Sequence, residues 1–354
     1  MADIEELRAR CDRSLSWHGN KPAAAYVAEI PTDLGTDRYG AGGAVEALED
    51  EIRTLLEKPA AVFMPSGTMA QQIALRIHAD RRDGRDIGFH ATSHLELHED
   101  KAYQRMHGLV GVTVGSARRI ITIEDLKAAP KPLAAFLFEL PQREIGGRLP
   151  PWGDLEEQIA YLRDQGTAVH LDGARLWECT PYYECDPARI AALFDTVYVS
   201  FYKGLGGLGG CCLAGAEDVI EEARAWRHRH GGTLWALWPY AASALGGLRR
   251  RLPKMPRYYE HALAIADALR DRPGIEIVPD PPQVPMMHLH LRVDADGFVD
   301  AVRRLAETEG IWTWSSSSEA ETPSIRVVEL AVGDATLEFS PDEVAKIIEG
   351  LIQG

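Results

Sequence analysis

Residues 196–210, Thr-Val-Tyr-Val-Ser-Phe-Tyr-Lys-Gly-Leu-Gly-Gly-Leu-Gly-Gly, place a lysine where an apolar run meets a glycine-rich turn. The apolar run predicts a buried strand, and Lys203 follows it in a chain with only eight lysines among 38 basic residues. A lysine that leaves a sheet in this way can be partly desolvated, which lowers the pKa of its amine and makes the amine nucleophilic. The alternative interpretation is a surface lysine in an ordinary strand-to-loop turn.

A dinucleotide site is a second interpretation of this turn, because Gly204, Gly206 and Gly209 match the pattern G-x-G-x-x-G. That fingerprint requires a helix directly after the glycines and an acidic residue about 20 positions further on. Here the strand-like segment Cys-Cys-Leu-Ala follows over residues 211–214, and no acidic residue ends a second strand at that spacing. We therefore reject a dinucleotide site.

Short apolar runs alternate with helical periodicity on both sides of the lysine. Between the runs, Val45, Leu48, Ile52 and Leu55 recur at the spacing of one helix face. The alternation predicts an α/β fold with a mainly parallel sheet that is covered on both faces. Strands are predicted over residues 61–64, 88–90, 112–114, 134–138, 168–171, 196–201 and 211–214.

The pattern changes after residue 240, where an alternating strand over 287–293 and a terminal helix over 341–352 indicate a smaller α+β domain. The first 35 residues show little periodicity beyond one helix. We therefore predict an N-terminal arm over residues 1–35, a large α/β domain over 36–245 and a small C-terminal α+β domain over 246–354.

Composition excludes several classes of protein. The 354 residues are 45% hydrophobic and 26% charged, which is ordinary for a soluble globular protein, and the formal net charge is −15. An acidic surface argues against nucleic-acid or anionic-membrane partners. No apolar run is long enough to span a bilayer, and the acidic start differs from a signal peptide. The five cysteines lack paired metal spacing, which favours a reduced, cytoplasmic protein.

Asp172 directly follows the strand predicted over residues 168–171, at the edge where open α/β sheets bind ligands. An aspartate at this position can hold a pyridinium nitrogen protonated, which makes a pyridoxal ring an electron sink. Arg175, three residues later, could contact a phenolic oxygen or a substrate carboxylate. The alternative is an ordinary Asp–Arg pair at a strand end.

A small-residue turn, Pro-Ser-Gly-Thr-Met-Ala over residues 65–70, links a strand to a helix. Free main-chain N–H groups at a helix start bind anions, so Ser66, Gly67 and Thr68 could hold a phosphate. Capping of the helix by Ser66 or Thr68 would explain the same residues.

Histidines supply one further candidate and two that we reject. His94, in Thr-Ser-His-Leu-Glu-Leu-His over residues 92–98, could stack on a flat cofactor and transfer a proton, although His98 lies close by and either histidine could be structural. His288 and His290 share one strand face, but no third ligand accompanies them. We predict no metal site.

In chain order these features resemble the fold-type I pyridoxal-phosphate enzymes, which have the aspartate aminotransferase-like fold. More narrowly, they resemble the L-threonine aldolase and aromatic amino acid β-eliminating lyase family. The Asp-Gly-Ala-Arg segment at 172–175 and the Ser-Phe-Tyr-Lys-Gly segment at 200–204 form a specific pair, and the likeness extends over roughly residues 35–235. Further matching segments are Tyr39-Gly, Leu48-Glu49, residues 65–70, Ser93-His94 and Gly146-Gly147.

The resemblance implies a role for each residue. Lys203 would form the Schiff base with pyridoxal phosphate, Asp172 would face the pyridine nitrogen, and His94 would stack on the ring and act as a base. Ser66, Gly67, Thr68 and Ser200 would bind the phosphate. Arg175 would contact the O3′ side of the cofactor or the substrate carboxylate. Arg326 would lie on the substrate side, together with His18 or Ser16.

The departures from the family pattern also fall on the substrate side. Trp-His-Gly-Asn over 17–20 stands near the place of the family's Asp-Leu-Arg-Ser-Asp-Thr, and Glu-Leu-Pro-Gln-Arg over 139–143 replaces Glu-Asn-Thr-His-Asn. No arginine follows Gly231-Gly232. The cofactor prediction is therefore stronger than the substrate prediction.

The resemblance implies cleavage of L-threonine, L-allo-threonine or a related β-hydroxy-α-amino acid into glycine and an aldehyde. It also implies a homodimer or homotetramer. Two alternatives stay open: β-elimination from another amino acid, and a regulatory protein that binds the cofactor without turnover.

Overall fold

The structure is a computed structural model that describes residues 2–130, 132–320 and 322–352. Its strands are β1 (Arg13–Ser14), β2 (Ala60–Met64), β3 (Asp86–His90), β4 (Val110–Val114), β5 (Ala135–Glu139), β6 (Ala168–Gly173), β7 (Thr196–Ser200), β8 (Cys211–Gly215), β9 (Ile275–Val278), β10 (Met286–Leu291), β11 (Ile311–Trp312), β12 (Ser318–Glu319) and β13 (Arg326–Ala331). Its helices are α1 (Ala2–Arg10), α2 (Ala23–Ala28), α3 (Gly43–Leu56), α4 (Gly67–Arg81), α5 (His94–Leu97), α6 (Ala102–His107), α7 (Ile123–Ala128), α8 (Trp152–Asp164), α9 (Leu176–Tyr183), α10 (Pro187–Ala191), α11 (Glu217–Arg229), α12 (Trp238–Arg251), α13 (Met255–Leu269), α14 (Ala295–Glu309) and α15 (Pro341–Ile352).

The chain forms two compact units. The larger unit comprises residues 26–144 and 149–253, and the smaller comprises residues 1–25, 145–148 and 254–354. The N-terminal residues join the smaller unit through β1, which pairs in parallel with β11. The predicted arm over 1–35 and the predicted domains over 36–245 and 246–354 stay a proposal.

The larger unit is built on a seven-stranded sheet in the order β2-β8-β7-β6-β5-β3-β4. Strands β4, β3, β5, β6 and β7 are parallel to one another, whereas β8 is antiparallel to both β7 and β2. The prediction of a mainly parallel sheet is therefore confirmed. Because β5, β6 and β7 are parallel neighbours, their carboxyl ends meet at one edge of the sheet.

The central strands are buried on both faces, which explains their unbroken apolar runs. Every residue of β6 and of β7 is buried. Helix α4 packs against β2, β7 and β8 through Ile73, Ala74 and Ile77, and α11 joins the same apolar cluster through Val219. This packing fixes where α4 begins, one residue after Ser66.

The smaller unit contains a four-stranded antiparallel sheet in the order β12-β13-β10-β9. Strand β10 alternates as predicted, with Leu289 and Leu291 buried and with His288 and His290 half-buried on the other face. His288 stands opposite Glu329 on β13, and the Nε2-to-Oε2 distance is 3.9 Å. In the part of the chain that the structure describes, none of the helices has the length and apolarity that crossing a membrane requires.

Candidate active site

Three neighbouring strands bring charged residues to one edge of the large sheet. Glu139 ends β5 and stands in register with Asp172 on β6. Asp172 in turn stands in register with Tyr198 on β7, and Lys203 follows β7 in the loop that leads to β8. The side chains of registered residues point to the same face of a parallel sheet, so the strand ends form one cluster.

Lys203 is held in a shielded position within this cluster. The main-chain oxygen of Lys203 accepts a hydrogen bond from Gly206 at 2.8 Å, and Nζ lies 5.9 Å from the centre of the Tyr202 ring. Burial lowers the pKa of the Lys203 amine and the Arg175 charge lowers it further, whereas Asp172 and Glu139 oppose the shift. An amine with a lowered pKa is more often unprotonated and nucleophilic.

Asp172 is almost completely buried. Its Oδ1 accepts the main-chain N–H of Ala174 at 3.0 Å. Burial raises the pKa of the carboxyl above its ordinary value, although the Lys203 charge and the Ala174 hydrogen bond oppose the rise. A buried carboxylate with so few donors is suited to a cationic partner such as a pyridinium N–H.

His94 begins helix α5 directly after the N-cap residue Ser93. Its Nδ1 lies 3.1 Å from Oε1 of Glu99, whose side chain is only 2% exposed, whereas the imidazole itself is 34% exposed. The rings of His94 and His98 are 5.0 Å apart, and Nε2 of His98 lies 2.8 Å from Glu144. A carboxylate on Nδ1 leaves Nε2 of His94 as the nitrogen that can accept a proton.

The turn at the start of α4 fits a phosphate group. The side chain of the N-cap residue Ser66 makes no capping hydrogen bond. A Cβ atom on Gly67 would overlap the hydroxyl oxygen of Tyr198, so only glycine permits this close approach to β7. Two residues beyond Tyr198, and on the same face, the buried hydroxyl oxygen of Ser200 has no hydrogen-bond partner among the described residues. Free N–H groups beside an unsatisfied hydroxyl suit a phosphate, and Thr68 lies in the same helical turn.

Arg175 lies just beyond β6 and is buried. Its Nε is 3.9 Å from Oε2 of Glu178, which is buried as well. A Cβ atom on Gly204 would overlap Oε1 of Glu178, so this carboxylate lies directly against the backbone next to Lys203. The cofactor-side residues that the sequence predicted all belong to the larger unit.

Two predicted substrate-side residues belong to the smaller unit. Arg326 begins β13 and donates hydrogen bonds from Nε and Nη2 to the hydroxyl and carbonyl oxygens of Ser317, at 3.0 and 2.8 Å. Nδ1 of His18 accepts the main-chain N–H of Asp334 at 3.3 Å, and the ring stacks on Trp17. Their roles toward a substrate stay predictions.

Sequence reasoning missed two carboxylates of the cluster, Glu139 and Glu99. Glu139 directly follows the predicted strand over 134–138, so its position at a strand end could have identified it as a site candidate. Glu99 follows His94 by five residues, a spacing that predicts no contact on a regular helix. The contact forms because α5 ends at Leu97 and the chain turns back.

The fold and the strand-end site together define a fold-type I pyridoxal-phosphate enzyme. The chain belongs to the beta-eliminating lyase family, whose sequence profile matches residues 22–292. Membership confirms the predictions of the fold, of a lyase and of pyridoxal phosphate as the cofactor.

Individual relatives agree with this assignment. The low specificity L-threonine aldolase of Escherichia coli K12 is 27% identical over 258 residues, which are 71% of this chain and 77% of that protein. A Listeria monocytogenes structure, provisionally named an L-allo-threonine aldolase, is 38% identical, with a TM-score of 0.92 over 99% of both chains. Serine palmitoyltransferase of Sphingomonas wittichii shares the fold at 17% identity, with a TM-score of 0.65 over 96% of this chain and 85% of that one.

Proposed function

We propose that the protein is a pyridoxal-phosphate-dependent aldolase that cleaves L-threonine, L-allo-threonine or a related β-hydroxy-α-amino acid into glycine and an aldehyde. The observation that carries the proposal is the convergence of Lys203, Asp172 and His94 at one sheet edge. Relatives named threonine aldolases support the substrate class.

The cofactor-side residues would hold pyridoxal phosphate by complementary chemistry. Lys203 would bind it through the unprotonated amine. Asp172 would hold a proton on the pyridine nitrogen, because a buried carboxylate is stabilised by a cation beside it. When bound, the cofactor supplies an electron sink for the bond that breaks at the α-carbon. The phosphate would lie on Ser66, Gly67, Thr68 and Ser200.

His94 is the proposed base for the β-hydroxyl group. Glu99 on Nδ1 orients the imidazole, so Nε2 can take the hydroxyl proton as the Cα–Cβ bond breaks. Loss of that proton turns the departing fragment into a neutral aldehyde. The same nitrogen, or a water that it holds, can return a proton to the α-carbon to complete glycine.

Arginines are proposed to orient the substrate through its carboxylate. Arg175 and Arg326 are the candidates, because a guanidinium matches a carboxylate with two parallel hydrogen bonds. A fixed carboxylate would keep the Cα–Cβ bond aligned for cleavage. His18 is a further residue that we propose to contact the substrate.

Self-association is proposed from exposed aromatic side chains of the larger unit. The rings of Tyr39 and Trp235 are 5.1 Å apart in an edge-to-face pair, yet they are 57% and 60% exposed. Tyr202, which precedes Lys203, is also exposed. Clustered exposed aromatic residues are typical of protein interfaces. We propose a homodimer or homotetramer, which light scattering at several concentrations would test.

The free cysteines support our proposal of a cytoplasmic location.

β-Elimination is the second candidate reaction, because the matched family is described by that chemistry. It would need a leaving group on the β-carbon and would release ammonia and a keto acid.

One assay separates the two reactions. Purified holoenzyme is incubated with L-threonine, L-allo-threonine and L-serine, and aldehyde, glycine, ammonia and keto acid are measured. Aldehyde and glycine in equal amounts would support the aldolase. Ammonia and keto acid without glycine would favour elimination, and absence of both product sets would contradict both candidates.

A further inference from the structure

Glu139 is the carboxylate of the strand-end cluster that has no role in the proposed reaction. It is almost completely buried, and it stands in register with Asp172 on the neighbouring parallel strand. Neighbouring strands lie about 4.8 Å apart. The two carboxyl groups therefore leave the same edge of the sheet on the same face.

Three donors from two separate segments converge on the Glu139 carboxylate. Oε2 accepts the main-chain N–H of His94 at 3.2 Å and the side-chain amide of Gln142 at 3.1 Å. Oε1 accepts the main-chain N–H of Arg143 at 3.2 Å. The carboxylate thus ties the start of α5 to the end of β5.

His94 is consequently held at two points by two different carboxylates. Glu99 holds the imidazole through Nδ1, and Glu139 holds the backbone. An imidazole with a fixed ring and a fixed main chain has little freedom to move relative to the sheet edge. Such double support is what keeps a proton-transfer group in a productive geometry.

We propose that Glu139 is a positioning residue, which fixes the backbone of His94 and places a second buried carboxyl beside Asp172. The inference deepens the proposed aldolase function and rests on it. Two charged groups act on Glu139, Asp172 from β6 and Lys203 from the loop after β7, while His94 and Arg143 reach it through their main-chain N–H groups. Burial, followed by the Asp172 charge, raises the pKa of the Glu139 carboxyl to about 7.

A charge on Glu139 would affect the protonation of the Lys203 nitrogen, whereas a purely structural residue would not. Ionised Glu139 favours positive charge on the nitrogen of Lys203, since opposite charges within a few ångströms shift a pKa by about one to three units. Removal of the charge should therefore lower the pH at which the bound cofactor changes its visible absorbance.

The first experiment compares Glu139→Gln with Glu144→Gln in the holoenzyme. Glu144 is a matched control, because it lies in the same turn but pairs with His98 and Arg143. We expect Glu139→Gln to lower kcat about 10- to 100-fold with a smaller change in KM. The midpoint of the absorbance titration should move to lower pH by about one unit. Glu144→Gln should leave the midpoint in place.

The second experiment needs neither substrate nor cofactor. In cofactor-free protein labelled with ¹⁵N-histidine, Glu139→Gln should shift the imidazole resonances of His94, and Glu144→Gln should shift those of His98. The variants His94→Asn and His98→Asn assign the signals. Should Glu139→Gln fail to fold, Glu139→Asp serves instead: it should keep the absorbance midpoint and still lower kcat.

Equal effects of Glu139→Gln and Glu144→Gln on kcat, or an unchanged absorbance midpoint with unchanged His94 resonances, would overturn the proposal. Failure of the aldolase function would be recognised separately, as wild-type protein that releases no aldehyde. In that case the absorbance and resonance measurements still decide the role of Glu139.

Discussion

Two polar clusters occupy the same face of β6 and β7, one in the middle of the strands and one at their ends. In the middle, the ring nitrogens of His170 bond to Thr196 and Gln71 at 2.8 and 2.6 Å, and Nε2 of His78 bonds to the same threonine at 2.8 Å. At the ends lie the groups around Asp172.

The two clusters differ in how well their polar atoms are satisfied. The central histidines are buried with hydrogen-bond partners, and burial lowers their pKa to about 3 for His170 and about 4 for His78, so both stay neutral. The strand-end cluster instead combines carboxyls of raised pKa, a lysine of lowered pKa and the unpartnered hydroxyl oxygen of Ser200. Neutral groups with hydrogen-bond partners stabilise a fold, whereas ionisable groups with strongly shifted pKa values are typical of functional sites.

The largest expected effect is loss of activity in Lys203→Ala. The variant removes the amine that would bind the cofactor, so kcat/KM should fall roughly 1,000-fold or more. Stability of the cofactor-free protein should hardly change, because the variant also removes the desolvation cost of the buried Lys203 amine. Aldehyde release and urea unfolding test the two expectations. A fully active variant would show that the strand-end cluster is not the active site.

The next effect concerns the start of α4. In Gly67→Ala, the added methyl group would overlap the Tyr198 hydroxyl and displace the helix start. Affinity for pyridoxal phosphate should fall about 10- to 100-fold, since each tenfold step corresponds to about 1.4 kcal/mol. Fluorescence titration of cofactor-free protein measures it. Adding Tyr198→Phe should restore part of the affinity, and no recovery would contradict the steric explanation.

A substitution in the central cluster should lower stability and leave activity nearly unchanged. Thr196→Val would leave Nε2 of His78 and Nδ1 of His170 without their partner. The free energy of unfolding should fall by about 2–3 kcal/mol, while the kcat of the folded enzyme stays within about twofold of wild type. Thr196→Ser keeps the hydroxyl and is the matched control. A large loss of kcat without loss of stability would contradict the view that the central cluster serves stability and the strand-end cluster serves activity.

The effect that is smallest per unit measured is the change of stability with each pH unit. Folded His78 has a pKa of about 4 against an ordinary value of 6.5, so the unfolded chain binds more protons between these values. Stability should therefore fall as the pH drops from 6.5 to 4, by up to about 1.4 kcal/mol per unit. For Glu139 the slope of stability against pH has the opposite sign, because its folded pKa of about 7 exceeds the ordinary value of 4.5. Its contribution to the free energy of unfolding is therefore lost as the pH rises from 4.5 to 7.

Urea unfolding of cofactor-free protein between pH 4.5 and 7.5 measures both slopes. Relative to wild type, Glu139→Gln should gain stability as the pH rises, and His78→Gln should show a smaller acid-side decline. Parallel curves for wild type and both variants would mean that neither group titrates differently on folding.

Much of the site could be read from local sequence. The apolar run before Lys203, the strand that ends at Asp172 and the small-residue turn at Ser66 are local patterns, and each lies where the sequence predicted. Local patterns suffice here because a buried parallel strand must be apolar throughout, and because a helix start that binds an anion must present small residues.

The neighbours of these segments were decided only by the tertiary structure. The sheet order β2-β8-β7-β6-β5-β3-β4 brings Glu139 beside Asp172, and the pairing of β1 with β11 joins the first residues to the smaller unit. Strand order and register depend on packing between segments far apart in the chain. Periodicity along the sequence therefore cannot predict them. The amino-acid sequence by itself determined the strands and the cofactor and identified Lys203 as the candidate to bind it, and the fold decided which carboxylates surround this lysine.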